Sequence, residues 1–329
     1  MKKFMFVMSM VLAVCPAVGL VSCSSDDEED TGPVTPSEVP SPVLTDSQGN
    51  RLRVTSFGGS VQFRYDESGK LTSFGEYGKM YDFKEDVFTL ETEDGTYNIA
   101  LNGQGLISRI SMTLDEVDED GSYNKGDGVI NYQYNGDRQL VSVSGFTNYD
   151  TYDKSENSHY IDKTSGAYRL TWNNGNLEKY VMECSGTETE DGETFNYKES
   201  GTSTYTYGNQ PNVFRQLPYY MANGFLGDGI DVFCVLGLYG VGPAYLPTQC
   251  TEVETGDRYD TETHNYTYNF ILNDNGSINT EKRDYNSYAY IYSNAVTRAG
   301  VIQSANDTKA ALLKLSDIRK MFRHKSVRK

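Results

Sequence analysis

The chain holds only three histidines, His159, His264 and His324, and none stands in an HExxH or HxH spacing. A helical zinc site is therefore not indicated. No GxSxG segment accompanies a histidine, so a serine triad lacks its usual nucleophile turn. No Walker or GxGxxG segment lies between a strand and a helix, and no phosphate cradle follows. The stretch Glu116-Val117-Asp118-Glu119-Asp120-Gly121, with Asn124 and Asp127 beyond it, loosely follows a calcium loop. Calcium wants clustered hard oxygens, but position one here is Glu, position twelve is Asp, and no helices flank the loop. A solvated hairpin tip is the plainer reading. Two carboxylates facing each other roughly 5–10 Å apart would hydrolyse a glycosidic bond. Nothing in the spacing singles out such a pair, so no catalytic residue is assigned and no metal or cofactor is expected. Aromatics repeat at close spacing: Phe63, Tyr65, Tyr132, Tyr134, Trp172, Tyr205, Tyr207, Tyr266 and Tyr268. They read first as core and second as a platform that stacks on sugar rings.

The N-terminus is an address. Lys2 and Lys3 precede an apolar stretch from Phe4 to Val21, and polar sequence follows at once. This is the pattern of a signal peptide over residues 1–22 rather than of a retained span. The junction Leu20-Val21-Ser22-Cys23 resembles the lipobox of bacterial lipoproteins, which makes Cys23 the acylated first mature residue. Multiple acyl chains anchor stably where one alone is marginal. Ser25, Asp26, Asp27, Glu28, Glu29 and Asp30 follow, and five adjacent carboxylates must be solvated. The run resembles the signal that exports lipoproteins of the Bacteroidetes to the exterior face of the outer membrane. Gly32 to Pro42 carries four prolines and no aromatic. Residues 23–45 are therefore expected to form an extended, disordered tether. Of the other cysteines, Cys15 falls in the apolar stretch. Cys184, Cys234 and Cys250 form no CxxC motif, which leaves one disulfide or buried thiols open.

The body, residues 46–293, repeats a phrase: an aromatic-x-aromatic triplet, a polar turn with Gly, then Leu. It is seen at Phe63-Arg64-Tyr65 with Leu71, at Tyr97-Asn98-Ile99 with Leu106, and at Tyr132-Gln133-Tyr134 with Leu140. Leu170-Thr171-Trp172 with Leu177 continues it, and Tyr205-Thr206-Tyr207 and Tyr266-Thr267-Tyr268 echo it. The four leucines stand 35, 34 and 37 residues apart. Alternation at period two gives each strand one wet and one buried face, and the turns between runs make hairpins. Regular repetition argues for one sheet rather than separate domains. Long sheets must curl or close. The expected fold is all-β: a strongly curved antiparallel meander, partly or fully closed like a barrel. Composition agrees, with 26 Tyr, 31 Gly and 37% hydrophobic residues.

Two segments leave the pattern. Residues 211–250 are apolar and Gly-rich, and read as an insertion that plugs or caps the curled sheet. Residues 294–329 form a basic tail with an amphipathic helix expected at 309–324, where Ala311, Leu312, Leu315, Ile318 and Phe322 share a face. That helix is read as docking on the acidic body or as a partner-binding element.

The lipobox, the acidic run, the Tyr-x-Tyr…Gly-x-Leu hairpins and the late Gly-Leu-Tyr-Gly…Tyr-Leu-Pro element are together similar to a family of Bacteroidetes lipoproteins of unknown function, described as porin-like in fold. The likeness covers about Leu44 to Ser293, although the YD repeats of large toxin shells use a similar hairpin phrase. It implies a barrel-like shape rather than a pore and brings no catalytic residues. An integral membrane barrel is disfavoured, because no consistent lipid-facing band of Leu, Val and Phe recurs. A net charge of −17 excludes general nucleic-acid binding. The expected function is a lipid-anchored, non-catalytic binding or structural module of the outer membrane. Its expected partners are lipid through Cys23 and a glycan, a peptide or an outer-membrane protein. The alternatives are a polysaccharide hydrolase and an accessory subunit docking on an outer-membrane partner.

Overall fold

The structure is a computed structural model that describes residues 34–294, apart from 77–78, 85–86, 93–94, 119, 156, 227–230 and 258. Cys23, the acidic run Ser25–Asp30 and the tail with its expected helix lie outside the described residues. Seventeen strands follow the chain. The first seven are short: β1 Leu44–Thr45, β2 Arg51–Phe57, β3 Val61–Tyr65, β4 Leu71–Glu76, β5 Lys79–Asp82, β6 Thr89–Glu91 and β7 Gly95–Leu101. Longer ones follow: β8 Ile107–Val117, β9 Tyr123–Tyr134, β10 Leu140–Asp153, β11 Ser158–Asn173, β12 Asn176–Glu190 and β13 Glu193–Pro211. The last are β14 Tyr245–Gly256, β15 Tyr259–Leu272, β16 Ile278–Arg283 and β17 Asn286–Asn294.

All pairings are antiparallel and nearly all join sequence neighbours, as a meander requires. The final strand β17 returns to β2, through Tyr290↔Phe57 and Asn294↔Leu52 among others, and curls the sheet into a nearly closed barrel. The weakest join lies between β5 and β6, where the single bridge Phe83↔Leu90 spans the gap. The segment before β1 stitches this place. Ser37 N–H donates to the Ile99 carbonyl, Phe88 N–H to the Ser37 carbonyl and Leu71 N–H to the Pro40 carbonyl. Residues 34–45 were expected to be a free tether; instead they lie along the barrel with Val39 and Leu44 buried. Proline holds such a segment extended, and its other amides remain free to pair.

The repeated turns explain the repeated phrase. Asn102 Oδ1 accepts from the N–H of Gln104 and Leu106 at 2.9 and 3.1 Å. Asn135 Oδ1 does the same for Asp137 and Gln139. The residue three after the Asx then takes positive φ: Gly69 at 87°, Gly105 at 74°, Gly276 at 80°. In the Asn135 turn Arg138 takes that place at 61°, and Gly136 does not. Such turns favour glycine there because a Cβ crowds the left-handed region. The leucine that follows points inward, and Leu71, Leu106, Leu140 and Leu177 are all fully buried.

The third residue of the triplet acts across strands. Tyr134 hydroxyl donates to the Ile107 carbonyl at 2.6 Å, Trp172 Nε1–H to the Leu140 carbonyl at 2.7 Å, and Tyr207 hydroxyl to the Leu177 carbonyl at 2.7 Å. Each ring thus staples its own unit to the end of the previous one.

The described residues of 212–244 fill the barrel instead of extending its wall. They carry the short helix α1 Tyr219–Ala222 and a 3-10 turn, Asp231–Leu236. Pro211 and Tyr245–Cys250, read in sequence as insertion, belong to the wall, because Cys250 pairs with Tyr205 of β13 and Tyr266 of β15. Phe233 sits among wall rings, 6.4 Å from Phe63, 5.3 Å from Phe74 and 5.8 Å from Phe88. Tyr132 hydroxyl donates to the Leu226 carbonyl at 3.0 Å. Arg215 clasps the far side, with Nε donating to the Gly242 carbonyl and Nη2 to the Gly175 carbonyl. This plug enters beside the turns of Asn102, Asn135 and Gly175, which define one end of the barrel. The opposite, distal end is formed by the tips of the long hairpins β9 to β15.

Candidate functional site

The nine aromatic residues singled out in sequence lie on the inner side of the wall. Phe63, Tyr132, Tyr205 and Tyr268 are buried in the core, and Tyr65, Tyr134, Trp172, Tyr207 and Tyr266 pack against it half-buried. They do not form an exposed platform. Their inward position is set by the alternation that made them conspicuous, since the aromatic positions share a face with the buried leucines. Burial drives the hydroxyl pKa of Tyr132, Tyr134 and Tyr205 well upward, so they act as neutral donors.

The chemistry suspected elsewhere is dispersed. Cys184, Cys234 and Cys250 are buried free thiols, and burial pushes Cys250 up to about 12. In the acidic loop, Glu119 is outside the described residues. Asn124 shares the inner face of its sheet with Thr151, to which it is hydrogen-bonded, whereas Asp127 points outward onto Asn148. Their oxygens diverge, and no group of three metal-ligating side chains occurs among the described residues. His264 faces Glu262 at 3.3 Å.

The interior holds one charged clasp between wall and plug. Glu281 of β16 is fully buried and accepts three hydrogen bonds: from Tyr219 N–H and Tyr220 N–H at 2.8 Å each, and from Tyr290 hydroxyl at 2.6 Å. Burial raises its carboxyl to about 7 against those three bonds. Arg283, two residues on, lies between the rings of Tyr220 and Tyr266 at 4.7 and 4.8 Å. Glu252 accepts from Tyr180 and Ser203 at 3.1 and 3.0 Å. Glu281 and Arg283 thus tie the wall to the plug, whereas Glu252 bonds within the wall.

The outward face offers more to a ligand. Pairing registers align rows of side chains across β9 to β13. One row is Tyr123, Tyr152 and His159; a second is Asp127, Asn148, Lys163, Thr187 and Asn196; a third is Val129, Phe146, Ser165, Ser185 and Lys198. The last two rows enclose a shallow depression of about 400 Å³, lined by Lys163, Ser165, Ser185, Gly186, Thr187, Asn196, Tyr197, Lys198 and Asp257. Toward the tip, the Tyr123 and Tyr152 rings stand 5.8 Å apart, and His159 Nε2 lies 2.7 Å from Asp150 Oδ1. None of these depression residues stood out in sequence, because isolated Lys, Ser and Thr gain meaning only from the cross-strand register.

No protein-family model and no curated protein matches the chain. Solved structures do. A porin-like protein from Bacteroides vulgatus is 17% identical, with a TM-score of 0.45 over 73% of this chain and 99% of that one. A porin-like protein from Bacteroides uniformis is 15% identical, with a TM-score of 0.28 over 77% of this chain and 95% of that one.

Outward residues along β12 are Lys179, Val181, Glu183, Ser185, Thr187 and Thr189; along β13 they are Thr194, Asn196, Lys198, Ser200, Thr202 and Thr204. A membrane barrel needs an outward apolar band about 25 Å tall. β12 and β13 present mainly hydroxyls, amides and charges along their paired lengths, with Val181 the one apolar residue in the two rows.

Proposed function

We propose that the chain is a lipid-anchored protein of the outer membrane, a non-catalytic binding or structural module whose barrel stands in water. The polar outer wall carries this reading, and the plug that fills the interior supports it, since a filled barrel conducts nothing. Acylated Cys23 holds the protein to lipid, and the acidic run Ser25–Asp30 directs it to the exterior face. Cys23 stands fourteen residues before Ser37, a reach of at most about 50 Å for an extended chain. Ser37 packs near the plug end, so that end faces the membrane and the long hairpins project away from it.

The test is expression of the full chain in a Gram-negative host that processes lipoproteins, with labelled palmitate. Label on the wild type and none on Cys23→Ala, with detergent-free release of that variant, is expected. An unlabelled wild type, or a Cys23→Ala protein that stays in the membrane through alkaline extraction, overturns the anchor. Conductance by the purified protein in planar bilayers would overturn the plugged barrel. Oligosaccharide release from polysaccharide mixtures would overturn the non-catalytic reading.

A further inference from the structure

We propose that the depression on the outer face of β11, β12 and β13 binds an anionic saccharide. The inference deepens the binding-module reading and rests on it. Lys163 and Lys198 stand at opposite corners of the depression, two strands and two residues apart, which places their Cα atoms roughly 12 Å from each other. Among the described residues neither lysine has an ion-pair partner. Two cations without an ion pair among the described residues thus stand in the depression beside one lining carboxylate, Asp257, on a chain of net charge −17. Between them lie Ser165, Ser185, Thr187 and Asn196, which supply hydroxyl and amide groups that both donate and accept. Polyhydroxylated rings carrying a carboxylate or sulfate match that lining: their hydroxyls meet the serine and threonine row, and their acidic groups meet the ammonium groups. A densely charged polyanion such as nucleic acid would be repelled by the rest of the surface. A saccharide that spaces its charges with neutral hydroxyls would not. The Tyr123–Tyr152–His159 row lies four residues further along β11, roughly 13 Å away on the same face, and gives a longer chain ring surfaces to follow.

The full chain in detergent would be titrated calorimetrically with partly methyl-esterified polygalacturonate, a sparsely sulfated dextran and neutral dextran, at low and high salt. Binding of one acidic polymer, weakened by salt and absent for neutral dextran, is expected. The Lys163→Ala/Lys198→Ala variant should lose about tenfold in affinity, which is about 1.4 kcal/mol. Lys179→Ala/Lys282→Ala, the same charge change elsewhere, should lose little. Tyr152→Ala should weaken long chains more than short ones. Binding of neither acidic polymer, equal binding of neutral dextran, or equal losses in the two lysine variants would overturn the site. Far-UV dichroism of each lysine variant separates misfolding from lost binding. The anchor is judged by palmitate labelling and membrane extraction, neither of which reads saccharide binding, so either reading can fail without the other.

Discussion

At the scale of single residues, the tyrosines are fasteners. The aromatic periodicity was legible and read first as packing, with a sugar platform second. Both need rings on one strand face, and only tertiary contacts reveal where the hydroxyls go. Tyr207 shows the answer: its hydroxyl ends on the Leu177 carbonyl, one unit back. Tyr207→Phe should therefore lower stability by about 1–2 kcal/mol, because it strands a shielded carbonyl while keeping the ring. Denaturant melts would check it, and an unchanged midpoint would refute the staple. Glu281 was not legible at all, since one Glu among 46 acidic residues carries no sequence mark. Its folded-state pKa, about 7, lies above the ordinary 4.5, with burial as the main cause. The stability from this shift is fully present below 4.5 and is lost as pH rises through 7, because the folded state holds the proton more tightly. Stability should fall across that window in the wild type, and Glu281→Gln should flatten the fall. An equally steep fall in the variant would assign it to other groups.

Among the elements, the hairpins were readable and the plug only partly so. Asx turns and inward leucines recur because each unit solves the same local problem: turn the chain, then bury one leucine. The segment 212–244 has no such period, so its apolar composition signalled burial without showing against which strands. Its ends were blurred because Tyr245-Leu246-Pro247 looks apolar yet pairs in β14. The proline-rich start misled in the opposite way: composition marked a tether, whereas Ser37 and Pro40 bond across the thin β5–β6 join. Phe233 tests how far wall and plug form one core. It has no exposed surface and touches three wall phenylalanines. Phe233→Ala should cost about 3–5 kcal/mol through lost burial and the cavity left behind. Calorimetry should still show a single transition, shifted down. Two separated transitions would mean that the plug folds apart from the barrel.

For the whole molecule, the contrast is between a filled interior and the polar outer faces of β12 and β13. The seventeen strands of the described residues, nearly closed around a plug, form a post whose two ends differ in kind. Short Asx turns and the start of the described chain occupy one end; hairpins up to the 19 residues of β13 occupy the other. If lipid holds Cys23, the short-turn end lies against the membrane and the depression between Lys163 and Lys198 is carried outward. This orientation can be read directly. The three described native cysteines are buried free thiols, so an introduced surface cysteine is the preferred site for a fluorophore. Gly103→Cys marks the short-turn end, where a Cβ meets open space, and Glu193→Cys marks the exposed tip between β12 and β13. With the lipidated chain on vesicles that carry a headgroup quencher, the label at 103 should be quenched strongly and the label at 193 little. Reversed or equal quenching would show the barrel inverted or lying on its side, and would turn the depression toward lipid.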